Sequence, residues 1–178
     1  MTQGDITNMP AIRHLMAALI VATILVAAPI HADTDQFARN ASDSIVPFIV
    51  IGEATLLSVG KQEAVQGAKS LLVTGLATEF LKVTVREKRP NSDARSSFPS
   101  GHTSAAFAMA TALADYKPKL TIPAYAVAAT IGWSRVEIHA HTWADVVAGA
   151  ALGYYTARHY TENKLRLSPD GIDYSLKW

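Results

Sequence analysis

Three clusters of basic and polar residues between positions 82 and 145 have the side chains needed to bind an anion. The central cluster is the loop at residues 98–103, in which Ser100 is a suitable N-cap for the Ala-rich run that follows. Gly101 allows a ligand to approach the free N–H groups of the first helical turn. His102 lies at the mouth of that site and can exchange a proton near neutral pH. A Ser-Gly pair before a helix is usually only a cap, so the prediction of an anion site depends mostly on the two flanking clusters.

The flanking clusters supply three cations and a second histidine. Lys82 and Arg89 are seven positions apart, so a helix would place them on one face, and Pro90 predicts that this helix stops after Arg89. Downstream, Arg135 is followed by His141 and Asp145, whose four-residue spacing would set a carboxylate against an imidazole. Residues 142–145 also form a capping-box pattern, and the two roles of the carboxylate are compatible.

In chain order these clusters are K-x6-R-P, P-S-G-H and S-R-x5-H-x3-D. This pattern closely resembles the three-part signature of the type 2 phosphatidic acid phosphatase superfamily, which also contains bacterial class A acid phosphatases and vanadium-dependent haloperoxidases. Every defining position is present, and the one departure is the short connection at residues 91–98. The resemblance implies an all-α fold, a helical bundle with the active site at one end.

The resemblance also implies a role for each matching residue. His141 would be the nucleophile that forms a phosphohistidine, His102 the general acid, and Asp145 the group that orients His141. The phosphate oxygens would be bound by Lys82, Arg89, Ser100, Gly101 and Arg135. Without the motifs, the cations would be read as solvated surface charge. His139 and His141 face different ways on a helix and lack a third ligand, so we predict no metal and no cofactor.

The leading hypothesis is therefore a metal-independent phosphatase acting on phosphomonoesters or pyrophosphates. A lipid phosphate of the phosphatidate, polyprenyl pyrophosphate or lipid A type is the favoured substrate, and small soluble esters are the alternative. A vanadium-dependent haloperoxidase is a weaker hypothesis, because its members are usually much longer. A binding protein that kept only the fold is disfavoured, because every catalytic position is retained.

Composition sets the broad limits on the chain. Its 178 residues suggest one domain, and 49% hydrophobic residues suffice for a core. The net charge of +1 argues against a nucleic-acid partner, and the absence of cysteine excludes disulfides.

The N-terminus resembles a secretory signal. Arg13 and His14 precede an apolar run at residues 15–28, and Ala32 precedes a polar start. We therefore predict a signal peptide at 1–32, with an uncleaved anchor as the alternative, and one phosphatase domain at 33–178. This places the protein in the periplasm or on the periplasmic face of the inner membrane.

Hydrophobic periodicity predicts the helices that carry these motifs. We expect one long helix or two abutting helices over residues 61–89, with Gly67 and Gly75 as weak points. Later helices are expected over 103–116, 120–133 and 142–160, followed by a tail with a turn near 168–171. An apolar stripe on the long helix is expected to pack against the bundle, and it consists of Val65, Ala68, Leu72, Leu76, Phe80 and Val83. After the signal, no uncharged stretch reaches the ~20 residues of a membrane span. We therefore expect a soluble protein or one attached peripherally, with possible contact to a membrane surface.

Overall fold

The computed structural model describes residues 34–162 and, beyond them, the backbone of two short strands at 164–168 and 171–175. The predicted signal peptide at 1–32 lies outside these residues. In this described part of the chain there are six helices and one hairpin: α1 (Thr34–Asp43), α2 (Ile45–Val59), α3 (Lys61–Val85), α4 (Gly101–Tyr116), α5 (Thr121–Glu137), α6 (Trp143–Glu162), β1 (Lys164–Ser168) and β2 (Gly171–Ser175). A short 3-10 turn, Pro118–Leu120, leads into α5. The helical bundle is confirmed. The tail adds an antiparallel hairpin in which Lys164 pairs with Ser175.

Helix α4 is the centre of the bundle and packs against α2, α3, α5 and α6. Its run of small residues is almost entirely buried, and Met109 and Leu113 fill the space towards the apolar core. Helix α6 approaches α4 most closely at two glycines. A Cβ atom on Gly149 would lie 2.6 Å from the Ser100 carbonyl oxygen, and one on Gly153 would lie 2.1 Å from that of Ser104. Only glycine lets the two backbones come this near to each other.

Helix α3 presents the opposite face from the one predicted. Its apolar stripe is exposed, from 44% at Val65 to 72% at Val83, whereas the buried positions are polar or small. One of them, Thr78, hydrogen-bonds Ser104 of α4 at 2.9 Å. Small hydroxyl side chains let α3 lie close to α4, and periodicity alone could not distinguish an inward apolar face from an outward one. We call Leu72, Leu76, Phe80 and Val83 the α3 apolar strip.

The end of α3 also differs from the prediction. The helix stops at Val85, and Arg86 adopts a left-handed conformation with φ 54° while its N–H donates to the Lys82 carbonyl oxygen. Lys82 and Arg89 therefore do not share a helix face. Arg89 lies instead in the loop after α3, where its N–H donates to the Ala94 carbonyl oxygen at 3.0 Å. A left-handed C-cap ends a helix without help from the proline four residues later.

Among the described residues, one stretch is long and apolar enough to cross a membrane by length and composition. It is Thr34–Val59, near the N-terminus, which combines α1 and α2. A core helix or a signal sequence passes the same test, so this observation is weak by itself.

Candidate active site

The predicted functional residues lie at one end of the bundle, where several elements begin or end. Lys82 is in the last turn of α3, His102 in the first turn of α4, and Arg135 in the last turn of α5. His141 precedes α6, and Asp145 lies in the first turn of that helix. Helices packed side by side thus bring together residues that are far apart in the sequence.

The loop before α4 has the predicted position but a different cap. Ser100 occupies the N-cap position, yet its hydroxyl makes no capping bond and instead accepts a hydrogen bond from the Thr103 hydroxyl at 2.9 Å. The N–H of Ser100 donates to the Asp145 carbonyl oxygen at 3.0 Å, which ties the loop to α6. Lys82 lies over Gly101, where an added Cβ would be 3.3 Å from its Nζ atom. Its ammonium also donates to Glu79 at 2.6 Å.

His141 and Asp145 form a buried pair, with Nδ1 and Oδ2 3.5 Å apart. The capping box is also present. The Thr142 N–H donates to Oδ2 of Asp145 at 2.8 Å, and the Asp145 N–H donates to the Thr142 hydroxyl at 3.2 Å. The backbone of His141 is fixed separately, because its N–H donates to the Arg135 carbonyl oxygen at 3.1 Å. One carboxylate thus starts the helix and faces the imidazole, as the sequence suggested.

Two serines at the site were missed by sequence analysis. Ser97 is fully buried and donates its hydroxyl proton to Oδ2 of Asp145 at 2.6 Å, across 48 positions of sequence. Ser42 of α1 accepts a hydrogen bond from Nη1 of Arg135, across 93 positions. Neither serine has a spacing to its partner that a helix or a turn would reveal, so no sequence signal could have identified them.

The two arginines keep donors that no described residue engages. Arg135 is only 8% exposed, and the buried Nε atoms of Arg89 and Arg135 have no hydrogen-bond partner among residues 34–161. Buried donors are ordinarily satisfied. Two guanidinium groups with unused N–H donors at one site suit an anion that carries several acceptor oxygens.

The electrostatics of the site favour neutral imidazoles in the free protein. Burial, followed by the charges of Arg135 and Lys82, lowers the pKa of His102 to about 4. Burial, Arg135 and Arg89 lower the pKa of His141 to about 4, although Asp145 acts in the opposite direction. All three predicted cations are therefore near enough to act on the histidines. Among the described residues, no group of three or more histidine, aspartate or glutamate side chains could hold a metal ion.

Comparison with known proteins identifies relatives of the chain. The sequence profile of the PAP2 superfamily matches residues 64–166. A lipid A 1-phosphatase of Porphyromonas gingivalis is 30% identical over 118 residues, which are 63% of this chain and 26% of that protein. A probable lipid phosphate phosphatase 4 of Arabidopsis thaliana is 31% identical over 132 residues, 49% of this chain and 43% of that protein. The chain thus spans less than half the length of these relatives.

Two crystal structures share the fold. One is a transmembrane PAP2 type phosphatidylglycerolphosphate phosphatase from Bacillus subtilis, with a TM-score of 0.60, 23% identity and 86% coverage of both chains. The other is Aquifex aeolicus LpxE, with a TM-score of 0.61 and 21% identity over 87% of this chain and 97% of that one. At these identities the likeness concerns the fold.

Proposed function

Because the chain belongs to the PAP2 superfamily, we propose that it is a metal-independent phosphatase that hydrolyses a lipid phosphate through a phosphohistidine intermediate. The observation that carries this proposal is the buried His141–Asp145 pair beside Arg135 and Arg89, whose Nε donors have no partner among the described residues. Phosphoryl transfer needs a nucleophile, a proton donor and positive charge around the equatorial oxygens. The end of the bundle offers all three, and the scheme requires neither a metal nor a cofactor.

We assign the first step to His141 as nucleophile. A pKa of about 4 keeps its imidazole neutral at physiological pH, so that Nε2 has a free lone pair while Asp145 faces Nδ1. Nε2 forms a bond to phosphorus, the ester P–O bond breaks with its electron pair, and His102 gives a proton to the leaving oxygen. Lys82, Arg89 and Arg135, with Ser100 and the Gly101 N–H, hold the phosphate oxygens.

In the second step, water attacks phosphorus, the P–N bond breaks, and His102 takes the proton that water loses. His102 must therefore carry a proton when substrate is bound, although its pKa is about 4 in the free protein. A bound phosphate dianion raises the pKa of His102. Its negative charge offsets the positive charges of Arg135 and Lys82, which are, after burial, the main causes of the lowered pKa. Substrate binding and protonation of His102 are thus coupled.

A lipid substrate is supported by the exposed apolar surface near the site. The α3 apolar strip runs towards the end of the helix that carries Lys82, and Trp143 beside the catalytic pair is 58% exposed. Lys69 and Glu79 interrupt the same side of α3. A helix with this mixture suits the interface of a bilayer better than its interior. The strip favours the peripherally attached form over a freely soluble one.

We place the enzyme at the periplasmic face of the inner membrane, exported by residues 1–32. Sequencing the N-terminus of the protein from a periplasmic and a membrane fraction tests this placement. If the protein begins at Asp33 and carbonate extracts it from membranes, it is attached peripherally after cleavage of the signal. If it begins near Met1 and resists carbonate extraction, the N-terminal segment is an uncleaved anchor.

The activity is tested by phosphate release from a micellar lipid phosphate and a soluble aryl phosphate, side by side, with chelator present. We expect turnover of the lipid and none with His141→Ala, whose helix content by circular dichroism stays intact. Rapid quenching with 32P-labelled substrate should trap an acid-labile phosphohistidine in the wild type. Full activity of His141→Ala would refute the mechanism, and preference for the aryl ester would assign the enzyme to soluble esters instead.

A further inference from the structure

Helix α1 lies outside the part of the chain that the superfamily profile matches, yet it reaches into the phosphate site. The profile begins at residue 64, whereas α1 is Thr34–Asp43. Ser42, in the last turn of α1, is 3% exposed and accepts a hydrogen bond from Nη1 of Arg135. Helices α1 and α5 also contact each other through the rings of Phe37 and Trp133, whose centroids are 5.9 Å apart.

The Ser42 contact fixes the orientation of the Arg135 guanidinium. A guanidinium is a rigid planar fork with five N–H donors, so fixing one Nη1–H fixes the direction of the others. The buried Nε–H of Arg135 has no partner among the described residues. It is therefore one of the donors whose aim the serine determines.

The chemical type of the acceptor also matters. A carboxylate at position 42 would satisfy the same donor but would neutralise the charge that attracts phosphate. A hydroxyl holds the fork without adding a second carboxylate to that of the neighbouring Asp43, whose charge already acts on Arg135. Burial and the nearby Arg89 lower the pKa of Arg135 from its ordinary value, although Asp43 acts in the opposite direction.

We propose that Ser42 is a positioning residue that aims the Arg135 guanidinium at the phosphate, so that α1 forms a wall of the active site. The kinetic test of this inference depends on the proposed phosphatase function. The binding test does not, because Arg135 would bind inorganic phosphate with or without turnover.

The test compares Ser42→Ala with Ser70→Ala in the full-length protein. Ser70 is also fully buried, but its hydroxyl donates to the Gln66 carbonyl oxygen within α3, away from the two arginines. We expect Ser42→Ala to lower kcat/KM and to weaken inhibition by inorganic phosphate about 10- to 100-fold, the range for a lost hydrogen bond to a charged group. Ser70→Ala should leave both values within about twofold of wild type. Ser42→Thr keeps the hydroxyl and should recover most of the loss.

A double-mutant cycle separates positioning from a general loss of structure. If Ser42 acts through Arg135, adding Ser42→Ala to Arg135→Lys should cost much less than adding it to the wild type. A fall in melting temperature with unchanged phosphate inhibition would show a merely structural role and overturn the inference. So would equal additive losses in both backgrounds. Absence of turnover in the wild type with intact phosphate binding would refute the proposed function instead.

Discussion

The close approach of α4 and α6 makes a quantitative prediction about three glycines in helices. Replacing a glycine inside a helix by alanine gains about 1 kcal/mol of helix propensity when there is room. Gly75 of α3 has nothing within 4 Å of its added Cβ, so Gly75→Ala should stabilise the protein. At Gly153 the same Cβ would lie 2.1 Å from the Ser104 carbonyl oxygen, a backbone atom that cannot rotate away. Overpacking of this kind costs about 3 kcal/mol, which leaves a net loss of about 2 kcal/mol.

Thermal unfolding in mild detergent, followed by circular dichroism, measures both changes. For a chain of this size each kcal/mol shifts Tm by about 3 °C, so Gly75→Ala should raise Tm by about 3 °C and Gly153→Ala should lower it by about 6 °C. Gly149→Ala should add a functional effect, because its Cβ would lie 2.6 Å from the Ser100 carbonyl oxygen in the loop before α4, which we propose binds phosphate. We expect it to reduce kcat more than Gly153→Ala does. Equal stabilisation by Gly75→Ala and Gly153→Ala would refute the backbone contact between α4 and α6.

Three further predictions concern the site and the surface beside it. Ser97→Ala removes the 2.6 Å hydrogen bond to Asp145 and should lower kcat about 10- to 100-fold with little change in KM. An unchanged kcat would show that Ser97 has no part in the reaction. The pKa of His141 is lowered to about 4 by burial and Arg135, so the folded state resists protonation that the unfolded chain accepts below pH ~6.5. Through His141 alone, the free energy of unfolding should thus fall by up to about 3 kcal/mol between pH 6.5 and 4, in addition to the fall caused by His102. Urea titrations should therefore show a shallower fall in His141→Gln. Leu76→Glu, within the α3 apolar strip, should reduce the fraction of protein that sediments with anionic vesicles severalfold while leaving the aryl phosphatase rate unchanged. If the variant and the wild type sediment equally, the strip does not bind membranes.

The geometry of the proposed catalytic pair was predictable from sequence because the spacing is local within one motif. His141 and Asp145 are four apart, and the capping box between Thr142 and Asp145 sets the carboxylate beside the imidazole. Ser100 was placed at a helix start for a similar reason. The partners of these motifs were not predictable. Ser42 and Ser97 reach Arg135 and Asp145 only after the helices have packed, over separations of 93 and 48 positions.

Helix α3 shows why a correct period can give a wrong orientation. Its apolar residues recur at helical steps, but so do Ser70, Thr74 and Thr78, which face the bundle. Small polar side chains can be buried when their hydroxyls bond within the helix or across to Ser104. The predicted end of α3 was wrong because Arg86 adopts a left-handed conformation. An arginine in the sequence gives no sign of that conformation.

The dual use of the Asp145 carboxylate has a consequence for how the protein responds to heat. The same oxygen that faces His141 also accepts the N–H that starts α6, so we expect the first turn of this helix and the His141–Asp145 pair to open together. Helix ends fray more readily than whole domains unfold. Opening of this turn at Thr142 would withdraw the carboxylate from the imidazole while the apolar core around α4 stays packed. We therefore expect activity to be lost below the temperature at which the bundle unfolds, and to return on cooling.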